Sequence, residues 1–286
     1  RDSKMVDDLL HHYTDINTLA LILKNRTIRF NRLDRVDDVT EGESFTVLRL
    51  ERFFFVSCWT YEPNESLPQW NMYTRDMAGV RITLPRLMFN WKPLIVPSKF
   101  NSVSEGSIMS PIPFERIFAA RYFIPPIFLT ENHFGRKVEY VPDVQRRKDD
   151  AVRFEVNAGR VDAQISDPTG IASLKSPDWA FQKEYRFVLL IVPSPDIPQG
   201  EMYFEEFSRQ LPNVVVTSLY QGKGPELEYF DVDVGEEALK SIIVTAGPMC
   251  TEGDRVVIEA LTEKHSPTGR MDKSKFTGTI RKPFRN

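Results

Sequence analysis

Two cysteines, Cys58 and Cys250, are all that the 286 residues contain. Both sit among apolar or small residues, which suits buried reduced thiols and leaves no material for a disulfide framework. No C-x-x-C or H-E-x-x-H run exists to supply the roughly four ligands of a zinc site, so no metal is expected. No apolar run reaches the roughly 18 residues that mark a membrane span. The N-terminus lacks an apolar signal region, and the expectation is a cytoplasmic protein. Arg1, Asp2, Ser3 and Lys4 precede Met5, which makes Met5 a candidate natural start. An excess of one charge is also missing: 37 basic residues stand against 40 acidic ones, a net charge of −3. That balance does not advertise a general nucleic-acid binder, although a local basic patch is compatible with it. Walker loops, G-x-G-x-x-G, G-x-S-x-G and EF-hand patterns are absent, which removes the usual phosphate cradles and nucleophile elbows.

What is present is ordinary globular material, 41% hydrophobic and 27% charged, with 20 Phe and 9 Tyr against 14 Gly. The length suffices to bury a substantial core. Residues 7–14 read as a strand. Residues 15–24 carry apolar positions at helical spacing behind Asp15 as N-cap, with Asn25 as the closing signal. Strands are predicted at 27–30, 53–59, 79–84, 114–122, 137–141, 184–192, 214–220 and 241–245, and helices at 69–77, 235–240 and 256–264. Residues 31–44 read as a charged loop, and the run Arg146-Arg147-Lys148-Asp149-Asp150 as the start of a solvated helix. No repeat and no clear boundary appear. The expectation is one α+β domain over 1–265, with a mixed or antiparallel split sheet and flanking helices, followed by a polar basic tail of weak structure at 266–286.

Three polar constellations fall at predicted strand ends. His11, His12, Tyr13 and Thr14 close the first strand; a histidine there either bonds a ligand hydroxyl or satisfies a backbone carbonyl. Ser57, Cys58, Trp59 and Thr60 close another, and Trp70 and Tyr73 follow three apart, on one helix face. Such rings either stack on a flat heterocycle or fill the core. Gln182 and Glu184 head the longest apolar strand, where residues two apart point the same way. A carboxylate at that place suits stabilisation of a developing oxocarbenium ion; alternatively Glu184 pairs with Arg186 or Lys183 on an exposed face.

In that order, H-Y-T, S-C-W-T, W-x-x-Y and Q-x-E, the motifs resemble the ADP-ribosyltransferase superfamily, in the branch with a His-Tyr-Glu triad. Residues ~10–190 also resemble a bacterial family known only as a domain of unknown function. The shared segments there are the H-Y-T start, the acidic loop Asp37 to Glu41, Ser57-Cys58-Trp59, Trp70 to Tyr73 with Gly79-Val80, and Lys175 with Trp179 to Arg186. The acidic loop departs from the N-D-P-x-E pattern of that family.

The resemblance implies NAD⁺ as donor. It places His12 on a hydroxyl of the adenosine ribose with Tyr13 and Thr14 beside it. Tyr73 stacks on nicotinamide, with Trp70 or Trp59 closing the pocket. Ser57 orients Glu184, and Glu184 holds the nicotinamide ribose and stabilises the cationic transition state. Gln182 positions the acceptor, and Arg75 or Arg81 meets the pyrophosphate or serves as a surface ion-pair partner. Q-x-E members of the superfamily tend to modify an amide or a nucleobase. The implied roles are a toxin or an anti-phage effector acting on RNA, DNA or protein, with an antitoxin or chaperone partner. Arg146 to Lys148 and the basic tail (Arg270, Lys273, Lys275, Arg281, Lys282, Arg285) are the candidate phosphate contacts. An NAD⁺ glycohydrolase of the same fold and a non-catalytic binding module are the alternatives.

Overall fold

A computed structural model describes residues 9–43, 49–95, 108–157, 160–197 and 203–281. The candidate start at Met5 and the basic residues Lys282 and Arg285 lie outside the described residues. Within them, nine strands form one mixed sheet. In chain order these are β1 (Leu9–Thr14), β2 (Thr27–Arg32), β3 (Phe54–Thr60), β4 (Val80–Pro85), β5 (Gly135–Lys137), β6 (Glu184–Leu190), β7 (Tyr229–Asp233), β8 (Ile243–Ala246) and β9 (Arg270–Lys273). The sheet runs β7-β2-β3-β1-β4-β8-β9, and β6 pairs with β3 and β5. All pairs are antiparallel except β8 with β9. The helices that matter for the site are α1 (Ile16–Asn25), α2 (Val39–Glu43), α3 (Leu67–Tyr73), α4 (Val144–Ala151), α5 (Tyr203–Gln221) and α6 (Glu252–His265). No helix of the described residues is long and apolar enough to cross a membrane.

Strand alternation divides the core in two. Phe55, Trp59, Tyr185, Phe187 and Leu189 face one side, against Leu19, Ile22 and Leu23 of α1 and Ile258 of α6. Phe54, Val56 and Val188 face the other, against Leu33, Leu50 and Leu219. Along this second face the register pairs Val188 with Val56, then Arg186 with Cys58 and Glu184 with Thr60. The face therefore changes from apolar to charged within two residue pairs.

β1 and β2 both run antiparallel to β3 along the same edge, and they meet it at different ends. β2 pairs at Val56 and Phe55, whereas β1 pairs at Thr60 alone, through His11. Ser57, Cys58 and Trp59 lie between, on an edge that neither strand covers. The sheet thus parts at its centre into a slot, with α1 as the connection between β1 and β2.

Several sequence expectations fail for identifiable reasons. Val214 to Tyr220 lies in α5: Leu211, Val215 and Leu219 pack into the second core at i, i+4, i+8 spacing, and that burial overrides the β preference of the valine run. Residues 114–122 open as a helical turn, Phe114–Ile117, behind Pro113, with the Phe114 and Phe118 rings stacked at 5.8 Å. Helix α1 runs through Asn25, and Arg26 takes the left-handed turn at φ 58. The charged loop contains α2, whose Glu41 is buried. The described residues beyond Ser266 are not a weakly structured tail: β9 extends the sheet, and Ser274 and the Lys275 amide both bond Glu65.

Candidate functional site

Gln182 ends a 3-10 turn over Pro177–Gln182, and Lys183 adopts the left-handed region at φ 42 before β6 begins at Glu184. Strand alternation therefore does not explain why Gln182 and Glu184 converge. The buried ammonium of Lys175 gathers them: Nζ donates to Gln182 Oε1 at 2.9 Å and to Glu184 Oε2 at 3.3 Å. Lys183 itself points away and pairs with Glu62.

Glu184 is 3% exposed, and its Oε1 accepts from Arg186 Nε at 2.7 Å. Arg186 also grips Glu41, which pairs with Lys175 at 3.0 Å. Two anions and two cations thus close a buried ring of zero net charge, the arrangement that makes burial of ions tolerable. Burial would raise the Glu184 carboxyl, but Arg186 and then Lys175 outweigh it and hold the group below the ordinary carboxylate range. Burial likewise opposes the Lys175 charge, and Glu184 and Glu41 restore it. Lys148 of α4 closes the ring from behind, donating to the Glu41 carbonyl at 3.1 Å. Burial, opposed by Glu41, brings its pKa down to about 8. Lys148 is consequently no phosphate contact. Arg270 in the basic tail is paired with Asp272 at 2.9 Å.

The Gln182 amide is fixed at both ends. Its Nε2 donates to the Tyr73 hydroxyl, which in turn donates to Asp37 Oδ2 at 2.5 Å. Burial, then Asp37, pushes the Tyr73 phenol above its ordinary range and keeps it protonated. Gln69 on α3 donates to the Gln182 carbonyl at 3.1 Å and anchors the turn to the helix.

A chamber of about 80 Å³ is lined by His11, His12, Tyr13, Asp37, Cys58, Trp59, Thr60, Gln69, Tyr73, Lys175, Gln182 and Glu184. The slot beside it holds about 420 Å³ and is lined by Thr14 and Thr18 from the α1 side, by Val56 to Cys58 of β3, and by Arg29 and Arg35. His12, Tyr13, Asp37, Cys58 and Tyr73 line both, so these residues form the partition. His12 Nδ1 bonds the Cys58 carbonyl at 2.9 Å across the slot. A carbonyl only accepts, so Nδ1 carries the proton. Burial lowers the His12 pKa, and the neutral ring keeps Nε2 as an acceptor. His11 bonds Thr83 at 2.8 Å, and burial, followed by Arg81, brings its pKa down to about 3.

Of the residues singled out in the sequence, His12, Tyr13, Trp59, Tyr73, Gln182 and Glu184 line the chamber, and Thr14 and Ser57 line the slot. Three line neither cavity. Trp70 is fully buried edge-on to Tyr13 at 4.8 Å, and its indole donates to Glu65. Arg81 lies beneath Tyr13 and donates to the Glu62 and Pro63 carbonyls at 3.2 and 2.7 Å. Arg75 is exposed beyond α3 and lines neither cavity. The role given to Ser57 also moves: its hydroxyl accepts from the Trp59 indole at 3.0 Å, and Glu184 is held by Arg186 and Lys175 instead. His11, Asp37, Gln69 and Lys175 are additional lining residues; His11, Asp37 and Lys175 stood within recognised motifs without a role. Both cysteines are free, with Cys250 buried and Cys58 at the chamber wall. Among the described residues no group of His, Cys, Asp and Glu is arranged to hold a metal ion. In comparisons with known proteins, the chain matches no family model, no curated protein and no solved structure.

Proposed function

We propose that the chain is an NAD⁺-dependent mono-ADP-ribosyltransferase that works at the Glu184 chamber. One observation carries the reading: His12, Tyr73 and the pair Gln182 and Glu184, from three separate segments, line one chamber that opens on the central slot. The slot falls within the roughly 300–1,000 Å³ of ordinary small-molecule sites. In this reading the adenosine ribose gives a hydroxyl to His12 Nε2 in the slot, with Thr14 beside it. The nicotinamide end passes Tyr73, and Glu184 accepts from the nicotinamide ribose and opposes the positive charge at C1′ as the glycosidic bond stretches. A carboxylate held ionised by Arg186 and Lys175 needs no reorganisation when that charge develops. Gln182 acts as a spacer between Lys175 and Tyr73. The acceptor is a nucleic-acid base or a protein side chain, as a toxin or defence effector would use.

The size of the inner chamber supports a second reading, an NAD⁺ glycohydrolase. At about 80 Å³ it admits water more readily than a macromolecular side chain. Incubation with labelled NAD⁺ and cell lysate, followed by nuclease or protease, separates the two. Label retained on polymer and released by one of the enzymes supports transfer; free ADP-ribose alone supports hydrolysis. No turnover of NAD⁺ rejects both.

A further inference from the structure

Transfer of ADP-ribose requires the acceptor to lose a proton, and the Q-x-E pair does not supply a base for it. Gln182 is an amide with no basic lone pair to offer, and both its ends are occupied by Lys175 and Tyr73. Glu184 is held ionised between Arg186 and Lys175, below the ordinary carboxylate range, which makes it a poor proton acceptor. His11 and His12 each have one ring nitrogen committed, to Thr83 and to the Cys58 carbonyl.

One carboxylate that lines the same chamber pairs with no cation among the described residues. Asp37 stands in the segment between β2 and α2, exposed to solvent, with Oδ2 accepting from the Tyr73 hydroxyl. The chain Asp37, Tyr73, Gln182, Lys175, Glu184 therefore joins it to Glu184 through consecutive hydrogen bonds. Its position on both the chamber and the slot puts it where an acceptor arriving from solvent meets the ribose.

We infer that Asp37 is the general base that deprotonates the acceptor, a role that rests on the NAD⁺ reading of the Glu184 chamber. In that step a bond forms between C1′ and the acceptor atom while the bond from C1′ to the nicotinamide nitrogen breaks. The bonding pair leaves with nicotinamide and neutralises its pyridinium. The acceptor proton passes to Asp37 and then to solvent. Tyr73 orients the carboxylate by occupying Oδ2.

Nicotinamide release from NAD⁺, with water as acceptor, tests the assignment. Asp37→Asn keeps an oxygen for the Tyr73 hydroxyl and loses the base. Release is expected to fall about 10²–10⁴-fold, the ordinary worth of a positioned base. Azide ion has no proton to lose, so adding sodium azide to Asp37→Asn is expected to restore release and to yield the glycosyl azide of ADP-ribose. If Asp37→Asn does not hold its fold, Asp37→Ala with added formate gives the same decision, because formate replaces the carboxylate. An Asp37→Asn protein as active as the native chain, or a loss that neither azide nor formate repairs, overturns the role of Asp37 alone, since the native chain is then active. Absence of release by the native chain overturns the NAD⁺ reading and the base with it.

Discussion

Glu184 and Arg186, two residues apart on one strand, form a buried ion pair with 2.7 Å between Oε1 and Nε. Both side chains point to the same face, as strand alternation requires. The pair is part of a ring with Glu41 and Lys175, so that each ion has two partners of opposite sign. This ring fixes the carboxylate that the proposed chemistry needs. Its members are also stability determinants, and activity measurements must be separated from folding.

Arg186→Met leaves Glu41 and Glu184 with Lys175 as the remaining cation of the ring. Breaking a buried pair in this way costs about 3–5 kcal/mol. Urea unfolding of the variant is expected to show an unfolding free energy lower by that amount, with a correspondingly lower midpoint. Lys183→Ala removes the exposed partner of Glu62, and its unfolding curve is expected to overlay that of the native protein.

Tyr73→Phe keeps the ring at the partition and deletes the hydroxyl that receives the Gln182 amide and donates to Asp37. NAD⁺ affinity is expected to persist while turnover drops on the order of tenfold, the kinetic equivalent of about 1.4 kcal/mol. Steady-state kinetics check this as a change in kcat with KM held.

His12→Ala removes the acceptor nitrogen at the slot and is expected to weaken NAD⁺ binding in calorimetry. Arg75→Ala is expected to change neither binding nor turnover, because Arg75 lines neither cavity.

His11 gives a pH signature of folding. Its pKa lies at about 3 in the folded chain against an ordinary 6.5. Between these values the unfolded chain binds the extra proton, so stability is full above pH 6.5 and declines as the pH falls toward 3. The accumulated loss is about 5 kcal/mol at ~1.4 kcal/mol per unit. His11→Gln is expected to flatten this part of the stability profile, measured by thermal unfolding from pH 7 to pH 4.

The strands that carry the site were legible in the sequence because their signals are local. The alternation of Val80 to Leu84 and the apolar run after Glu184 appear as β4 and β6. The Q-x-E pair was legible as a pair but not in its geometry: convergence of Gln182 and Glu184 depends on a left-handed Lys183 and on Lys175, which no periodicity encodes. For Arg81 and Trp70 the sequence left two readings open, because type and spacing do not reveal the side of the sheet or helix on which a neighbour waits; Trp70 is fully buried, and Arg81 spends its guanidinium on two carbonyls under Tyr13. Val214 to Tyr220 shows the same limit in secondary structure, since its helical state is decided by the buried stripe of Leu211, Val215 and Leu219.

The central claim is that Glu184 stabilises the ribosyl cation of NAD⁺, and nicotinamide release by the native chain and by Glu184→Gln measures it most directly. Circular dichroism and calorimetric NAD⁺ affinity establish that both proteins are folded and loaded. The native chain is expected to release nicotinamide, and Glu184→Gln to do so about 10²–10³-fold more slowly, the usual loss for one electrostatic stabiliser, at comparable affinity. Equal release by the two proteins, or none by the native chain, contradicts the claim.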